Sequence, residues 1–209
     1  MYLNICGGVR KICYVTRGKQ IPETWVRQCR ETFPKGFMVV GCLTGRGALP
    51  LIKVPSKCKI NSKYYIDFVL KPILEQKLPN LYPGELNKIF FHHDKASSHT
   101  ARLTQDYLNE LKLKTGIQFI KSSDIPVKSP DISPLDFFGF GWLKRKVNYR
   151  KPKTLKGLWK VCRQVWSTLS PELVVKVFNS WKRRCRFVNK KNGAHIEQIK
   201  QIHRKRIRI

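Results

Sequence analysis

The sequence predicts an α/β fold in which a mixed β-sheet is flanked by helices and continues into a basic helical C-terminal extension. Three features point there. Short apolar or β-branched runs separated by glycines open the chain, a pattern of antiparallel strands. Helical and strand-like segments then alternate from about Asn61 to Ile120. From Gly139 onward, Lys and Arg dominate segments with helical spacing. The expected division is residues 1–150 for the α/β domain and 151–209 for the extension.

Taken in order, Met1 to Ile5 and Lys11 to Val15 flank Gly7-Gly8 and read as a hairpin. Gly36 precedes the apolar run Phe37 to Leu43, and Gly45 and Gly47 punctuate before Ala48 to Val54, which reads as two more strands joined by a tight turn. Asn61 is placed to cap a helix through about Gln76, where Tyr64, Tyr65, Phe68, Val69, Ile73 and Leu74 recur at helical spacing. Ile89 to His92 is a brief strand that runs into His93-Asp94, and a helix is expected from Ser97 to Leu113. Gly116 ends it, Ile117 to Ile120 is another strand, and three prolines lie in the loop from Lys121 to Pro134. Helices follow over Leu135 to Asn148, Leu155 to Leu169 and Pro171 to Arg186.

With 209 residues, 42% of them apolar, the chain can bury one sizeable core. Its 42 Lys and Arg against 13 Asp and Glu leave a formal charge of +29, self-repulsive in a compact state unless a polyanion compensates it. Nucleic acid is the expected partner. From Gly139 to Ile209, 21 Lys and Arg stand against Glu172 and Glu197 alone, so +19 of that charge lies in the last third. This stretch is either a phosphate-backbone surface or a solvated basic tail.

Seven cysteines without a Cys-x-x-Cys pair predict reduced intracellular thiols and no zinc site. No apolar run approaches the roughly 20 residues that span a bilayer, and the opening residues lack a signal-peptide core, so a soluble, non-secreted protein is expected. Lys144-Arg145-Lys146, Lys182-Arg183-Arg184 and Arg204-Lys205-Arg206 would suit nuclear import, which makes the nucleus the expected location.

Sheets of this kind hold ligands at strand C-terminal ends, and an Asp just after a buried strand can hold a hard cation through oxygen. Phosphodiester transfer by two Mg²⁺ ions needs carboxylates converging from distant chain positions. In a chain so poor in acids the candidates are few: Asp94, Asp106, Glu110, Asp124, Asp131 and Asp136. Asp106 and Glu110 lie four apart among Lys and Arg and read as surface pairs, which leaves Asp94 and Asp136 as the better site candidates.

The segment His92-His93-Asp94-Lys95-Ala96-Ser97-Ser98-His99-Thr100-Ala101 resembles the second catalytic segment of mariner-type transposases, a His-Asp-Asn-Ala-x-x-His-Thr-Ala pattern. Ser129-Pro130-Asp131-Ile132-Ser133-Pro134-Leu135-Asp136-Phe137-Phe138 resembles their third segment, and 41 residues separate Asp94 from Asp136, within the range of the family's long-spacer branches. The likeness runs on through Gly139 to Arg145, Lys153 to Trp159 and Lys190 to His195, so it covers nearly the whole chain.

This resemblance implies a ribonuclease H-like domain of the DDE/D class that binds Mg²⁺ or Mn²⁺. It would cleave transposon ends with water, join the 3′-hydroxyl to target DNA, and act as a homodimer on paired ends. Asp94 and Asp136 match the second and third metal-binding acids. Asp131 matches a loop Asp just before the third, its other reading being a turn residue bonded to its own backbone. His99 matches a His one helical turn beyond the second acid, where it contacts a phosphate, orients the carboxylate, or caps and packs the helix. His92 and His93 read as a strand end. Lys95, His99, Lys144, Arg145, Lys146, Arg150 and Lys151 are the expected nucleic-acid contacts.

Two departures from the family pattern matter. Lys95 stands where the family has Asn, so a cation beside Asp94 either opposes metal binding or contacts a phosphate. The family's first acid lies just before the residues that Met1-Tyr2-Leu3-Asn4 resemble. The chain is therefore expected to be an N-terminally truncated catalytic domain, without the first acid or the helix-turn-helix region and inactive as it stands. The alternative is a non-catalytic DNA-binding module. An RNA-binding basic protein would account for the charge but not for the spaced acids. Trp142, Trp159, Trp166 and Trp181 sit at helical spacing and read first as core, second as platforms for unpaired bases.

Overall fold

The computed structural model describes residues 1–5, 35–56, 58–124 and 130–193. The expected strand Lys11 to Val15 and the cluster Arg204-Lys205-Arg206 lie outside the described residues.

Strands β1 (Tyr2–Asn4), β2 (Gly36–Thr44) and β3 (Gly47–Val54) form an antiparallel sheet in the order β1-β2-β3. Gly45 and Arg46 make the turn, and Gly47 holds a φ of 126°, which side-chain-bearing residues rarely adopt. Each face of this sheet meets its own core. Along β2, Phe37, Val39 and Leu43 point to one, Val40 and Cys42 to the other.

Strict alternation along β3 would put Leu49 and Leu51 on the same face, but they enter opposite cores. The pairing explains this. Val40 stands opposite Ile52 and Cys42 opposite Leu49, so Pro50 and Leu51 together face Gly41. This β-bulge absorbs the surplus residue at a proline, which has no N–H to lose from the ladder. Trp166 closes the irregularity: its indole N–H donates to Leu49 O at 2.7 Å, and its ring lies where a Cβ on residue 41 would come within 3.2 Å.

Asn61 caps helix α1 (residues 62–81), its side-chain oxygen accepting from Tyr64 N at 2.8 Å. The helix outruns the expected end at Gln76. Pro72 removes one N–H in mid-course, and the π-helical turns Ile66–Leu70 and Pro72–Lys77 on either side accommodate the gap. Tyr65, Val69, Leu70, Ile73 and Leu74 pack with Leu108 and Leu111 in the second core.

Strands β4 (Phe90–Phe91) and β5 (Gln118–Phe119) pair in parallel across the connection formed by α2 (Ser97–Thr100) and α3 (Arg102–Thr115). The helix expected from Ser97 breaks at Ala101, whose ψ of 142° is extended, and α3 ends where Gly116 at φ 78° donates to Lys112 O. The described residues thus form two sheets where one mixed sheet was expected. Beyond Phe91, the His93 ring lies by Tyr65 of α1 and the His92 ring by Trp181.

Helix α4 (residues 135–150) opens with the π turn Leu135–Gly139 and continues as Phe140–Arg150. α5 (Leu155–Trp166) is capped by Thr154 and α6 (Pro171–Lys190) by Ser170, each accepting a backbone N–H. Leu143 and Val147 of α4, Leu158, Cys162, Val165 and Trp166 of α5, and Val174 of α6 bury against Leu3, Phe37, Val39 and Leu51. Each fully buried Leu or Val stabilises by about 1.5–3 kcal/mol. Residues beyond 150 therefore share a core with the first three strands. Trp142, Trp159 and Trp166 belong to it, with Trp159 edge-on to Phe37 at 5.9 Å. Among the described residues no helix is long and apolar enough to cross a membrane.

Candidate active site

β4 delivers His92, His93 and Asp94 in succession, and the chain then folds back over itself into α2. Asp94 Oδ1 accepts from Ala96 N at 3.1 Å and lies 2.6 Å from His99 Nδ1, which also meets the Asp94 carbonyl at 3.1 Å. The loop is held from behind by Thr104 Oγ1, donating to Ser98 O at 2.7 Å, and by Gln105 Nε2, donating to His99 O at 2.7 Å. The His99 ring stacks against Tyr65 at 3.9 Å and His93 at 5.0 Å, and the Tyr65 hydroxyl pairs with His93 Nδ1 at 3.2 Å. His99 is therefore packed in place, with its Nδ1 aimed at the Asp94 carboxylate.

The electrostatics follow the geometry. The hydrogen bond from His99 draws the Asp94 carboxyl down to about 2, burial opposing it and the Ala96 N–H assisting. Burial, with His99 alongside, depresses His93 to about 4, so that ring is neutral in most conditions. Asp94 stays an anion whose Oδ2 has no partner among the described residues.

Asp136 sits in the first turn of α4, exposed, with no hydrogen bond or ion pair to its carboxylate among the described residues. It lies close enough to His92 to influence that ring electrostatically, as Asp94 does. Burial lowers the pKa of His92, and Asp94 and Asp136 both oppose that shift. The Met1 amino group, donating to Val39 O at 2.9 Å, is likewise lowered by burial and then raised by Asp94, lowered by Lys144 and raised by Asp136. Asp94, Lys144 and Asp136 thus all lie near enough to the Met1 amino group to influence it electrostatically.

Asp131 takes a different part. It is buried, and Arg184 of α6 donates to its carbonyl at 3.1 Å while stacking 4.2 Å over the Phe137 ring. This contact clamps the loop ahead of α4 and so fixes the direction from which Asp136 enters.

Two carboxylates with phosphate oxygens are a donor set in which Mg²⁺ sits while keeping several waters. Asp94 and Asp136 fit that chemistry. No group of three His, Cys, Asp or Glu able to hold a metal occurs among the described residues.

Of the expected nucleic-acid contacts, Lys95 is half-buried beside Asp94, and Arg145 and Lys146 are exposed on α4 with Lys144. Arg150 donates to Gln164 at 3.2 Å, and Lys151 ends α4 in the left-handed region at φ 44°. Asp106 and Glu110 form surface pairs with Arg102 and Lys114. Sequence reasoning missed Arg184, Thr104 and Trp181 as parts of this region. Only the helical spacing of Trp181 and Arg184 hinted that they share the inner side of α6.

No protein-family model matches the chain, and no curated protein does. Solved structures do match. The chain superposes on the Mos1 transposase paired-end complex with left transposon end at a TM-score of 0.75 and 18% identity, over 93% of this chain and 54% of that one. It superposes on the catalytic domain of Mos1 mariner transposase at 0.65 and 18%, over 78% and 77%. The Mos1 strand transfer complex gives 0.67 and 19%, over 94% and 53%. The chain has the fold of the mariner transposase catalytic domain and spans about half the length of the longer Mos1 chains.

Proposed function

We propose that the chain is a mariner-type DNA transposase catalytic domain, of ribonuclease H-like type, that binds transposon-end and target DNA for strand cleavage and transfer. One observation carries the reading: the chain has the fold of the Mos1 catalytic domain, and the two acids chosen from the sequence, Asp94 and Asp136, both lie near enough to His92 to influence it. The fold of the Mos1 catalytic domain, solved with Mg and with Mn, supports it.

Asp94 and Asp136 would hold Mg²⁺ or Mn²⁺, whose charge would neutralise the attacking and leaving oxygens. The chain's own residues do the rest. His99 keeps Asp94 ionised and fixed in direction. Tyr65 and His93 hold the His99 ring, which leaves little reorganisation for the moment of reaction. Lys144, with Arg145 and Lys146 on the same helix, meets the phosphate backbone. Action as a homodimer and a nuclear location belong to the same proposal.

A second reading, DNA binding without chemistry, has a specific observation in its favour. Lys95, half-buried, directly follows Asp94, and a cation at that position would oppose metal binding there. Incubation of the chain with supercoiled DNA and Mn²⁺ separates the two. Catalysis predicts nicking that needs the metal and disappears in Asp94→Ala and in Asp136→Ala. Salt-sensitive binding with no nicking in any variant, and no Mn²⁺ bound in calorimetry that Asp94→Ala or Asp136→Ala abolishes, leaves the binding module as the answer.

A further inference from the structure

Lys182, Arg183 and Arg184 are adjacent in sequence but part company in space. Arg184 turns inward to Asp131 and Phe137. Lys182 and Arg183 stay outside and, with Lys176, Asn179, Ser180 and Arg186, line an open hollow of about 490 Å³ on α6. Helical spacing puts Lys176, Asn179, Arg183 and Arg186 along one stripe. Val174, Val177 and Val188 are buried on the opposite side, where Trp181 packs 6.0 Å from the His92 ring.

The hollow has the chemistry of a phosphate cradle. Among the described residues its cations form no ion pair within 4.0 Å; the helix's one acid, Glu172, lies in its first turn and interacts electrostatically with Lys176 alone of them. Arg offers a planar fork, and Asn and Ser offer neutral donors, the side chains that usually contact backbone phosphates. Lys176 to Arg186 rises about 15 Å along the helix. That is the axial span of roughly four or five phosphates on one strand of a duplex. A compact anion would engage one end of such a row; a regular polyanion engages all of it.

We propose that this outer face of α6 docks the phosphate backbone of duplex DNA, at a place separate from the Asp94 and Asp136 site. The inference rests on the DNA-handling reading above and adds a second binding surface to it. α6 then stands between two functions, its inner side positioning the site and its outer side holding backbone.

The test uses the whole chain, a short duplex and a salt series read by fluorescence anisotropy. The triple variant Lys182→Gln, Arg183→Gln, Arg186→Gln should flatten the dependence of log affinity on log salt by about 0.9 for each phosphate it no longer neutralises, about 2.7 for all three. Its melting curve should match the parent's, because these side chains are exposed; if it melts early, Arg186→Gln alone, with a flattening of about 0.9, decides. An unchanged slope overturns the proposal. Single-stranded RNA displacing the duplex at equal length overturns the choice of occupant. Mn²⁺ calorimetry on the same preparations keeps the two readings apart. A flattened slope with no Mn²⁺ bound to Asp94 and Asp136 sinks the catalytic reading and leaves the docking face standing, while Mn²⁺ bound with an unchanged slope sinks the docking face alone.

Discussion

Asp94 and Asp136 are positioned by opposite means. Asp94 is fixed locally: its carboxylate, its carbonyl and the His99 ring close a loop within six residues, and the neighbouring turn of α3 ties that loop down. Asp136 has no local partner and owes its position to distant packing, with Leu135 and Phe138 in the first core, the Trp166 ring beside Gly139, and Arg184 clamping the loop ahead. The difference separates two kinds of site residue. One carries its own scaffold in the neighbouring sequence, and the other is only as well placed as the domain is folded.

The sharpest way to break this contrast is to unseat Asp136 while leaving the Asp94 loop intact. Trp166→Ala removes a ring that touches both the sheet at Gly41 and the start of α4, together with the indole bond to Leu49, and should cost about 3–5 kcal/mol in urea unfolding. Weakened Mn²⁺ binding alongside preserved Asp94 and His99 signals would support the contrast, and an undisturbed Mn²⁺ site would end it. The converse attack is Thr104→Val, which strips the buried bond to the Ser98 carbonyl. Its expected cost is about 1–3 kcal/mol, with the disturbance confined in amide exchange to α2 and the start of α3.

A gentler probe is pH. The folded pKa of Asp94 lies near 2, below the ordinary 3.8, so its contribution to stability is present above the ordinary value and fades as pH falls toward 2. Carboxyl-carbon NMR should find that midpoint, and His99→Ala should move it up toward the ordinary value; no movement would mean that His99 does not hold the carboxylate. The smallest effect should come from Asp106→Asn, a surface pair at 3.8 Å that should leave the melting curve unmoved.

The same division decides what could be read from the sequence. Asn61, Gly116 and the His92 to Ala101 segment work through partners a few residues away, so their roles could be inferred directly. The break at Ala101 was hidden because the apolar spacing runs straight through it. The separation into two sheets was hidden too, since strand pairing is a long-range property that the local spacing of apolar residues does not encode. Arg184 looked like one more member of a basic run. Only the helical turn, together with a buried loop 53 residues earlier, makes it a clamp. Convergence of Asp94 and Asp136 was expected from the resemblance and not from spacing, because long-range packing has no local signature.

The hairpin of β2 and β3 has rails of unequal length: from Met38 to Thr44 on one side and from Gly47 to Val54 on the other, the second is longer by one residue. Unequal rails cannot lie flat, so the sheet must bend where the surplus is stored, at Pro50 opposite Gly41. Deleting Pro50 would leave every remaining side chain on its present face and yet straighten the ribbon. The niche that seats Trp166 would go with the bend, so the aim of Asp136 traces back to a single uncounted rung.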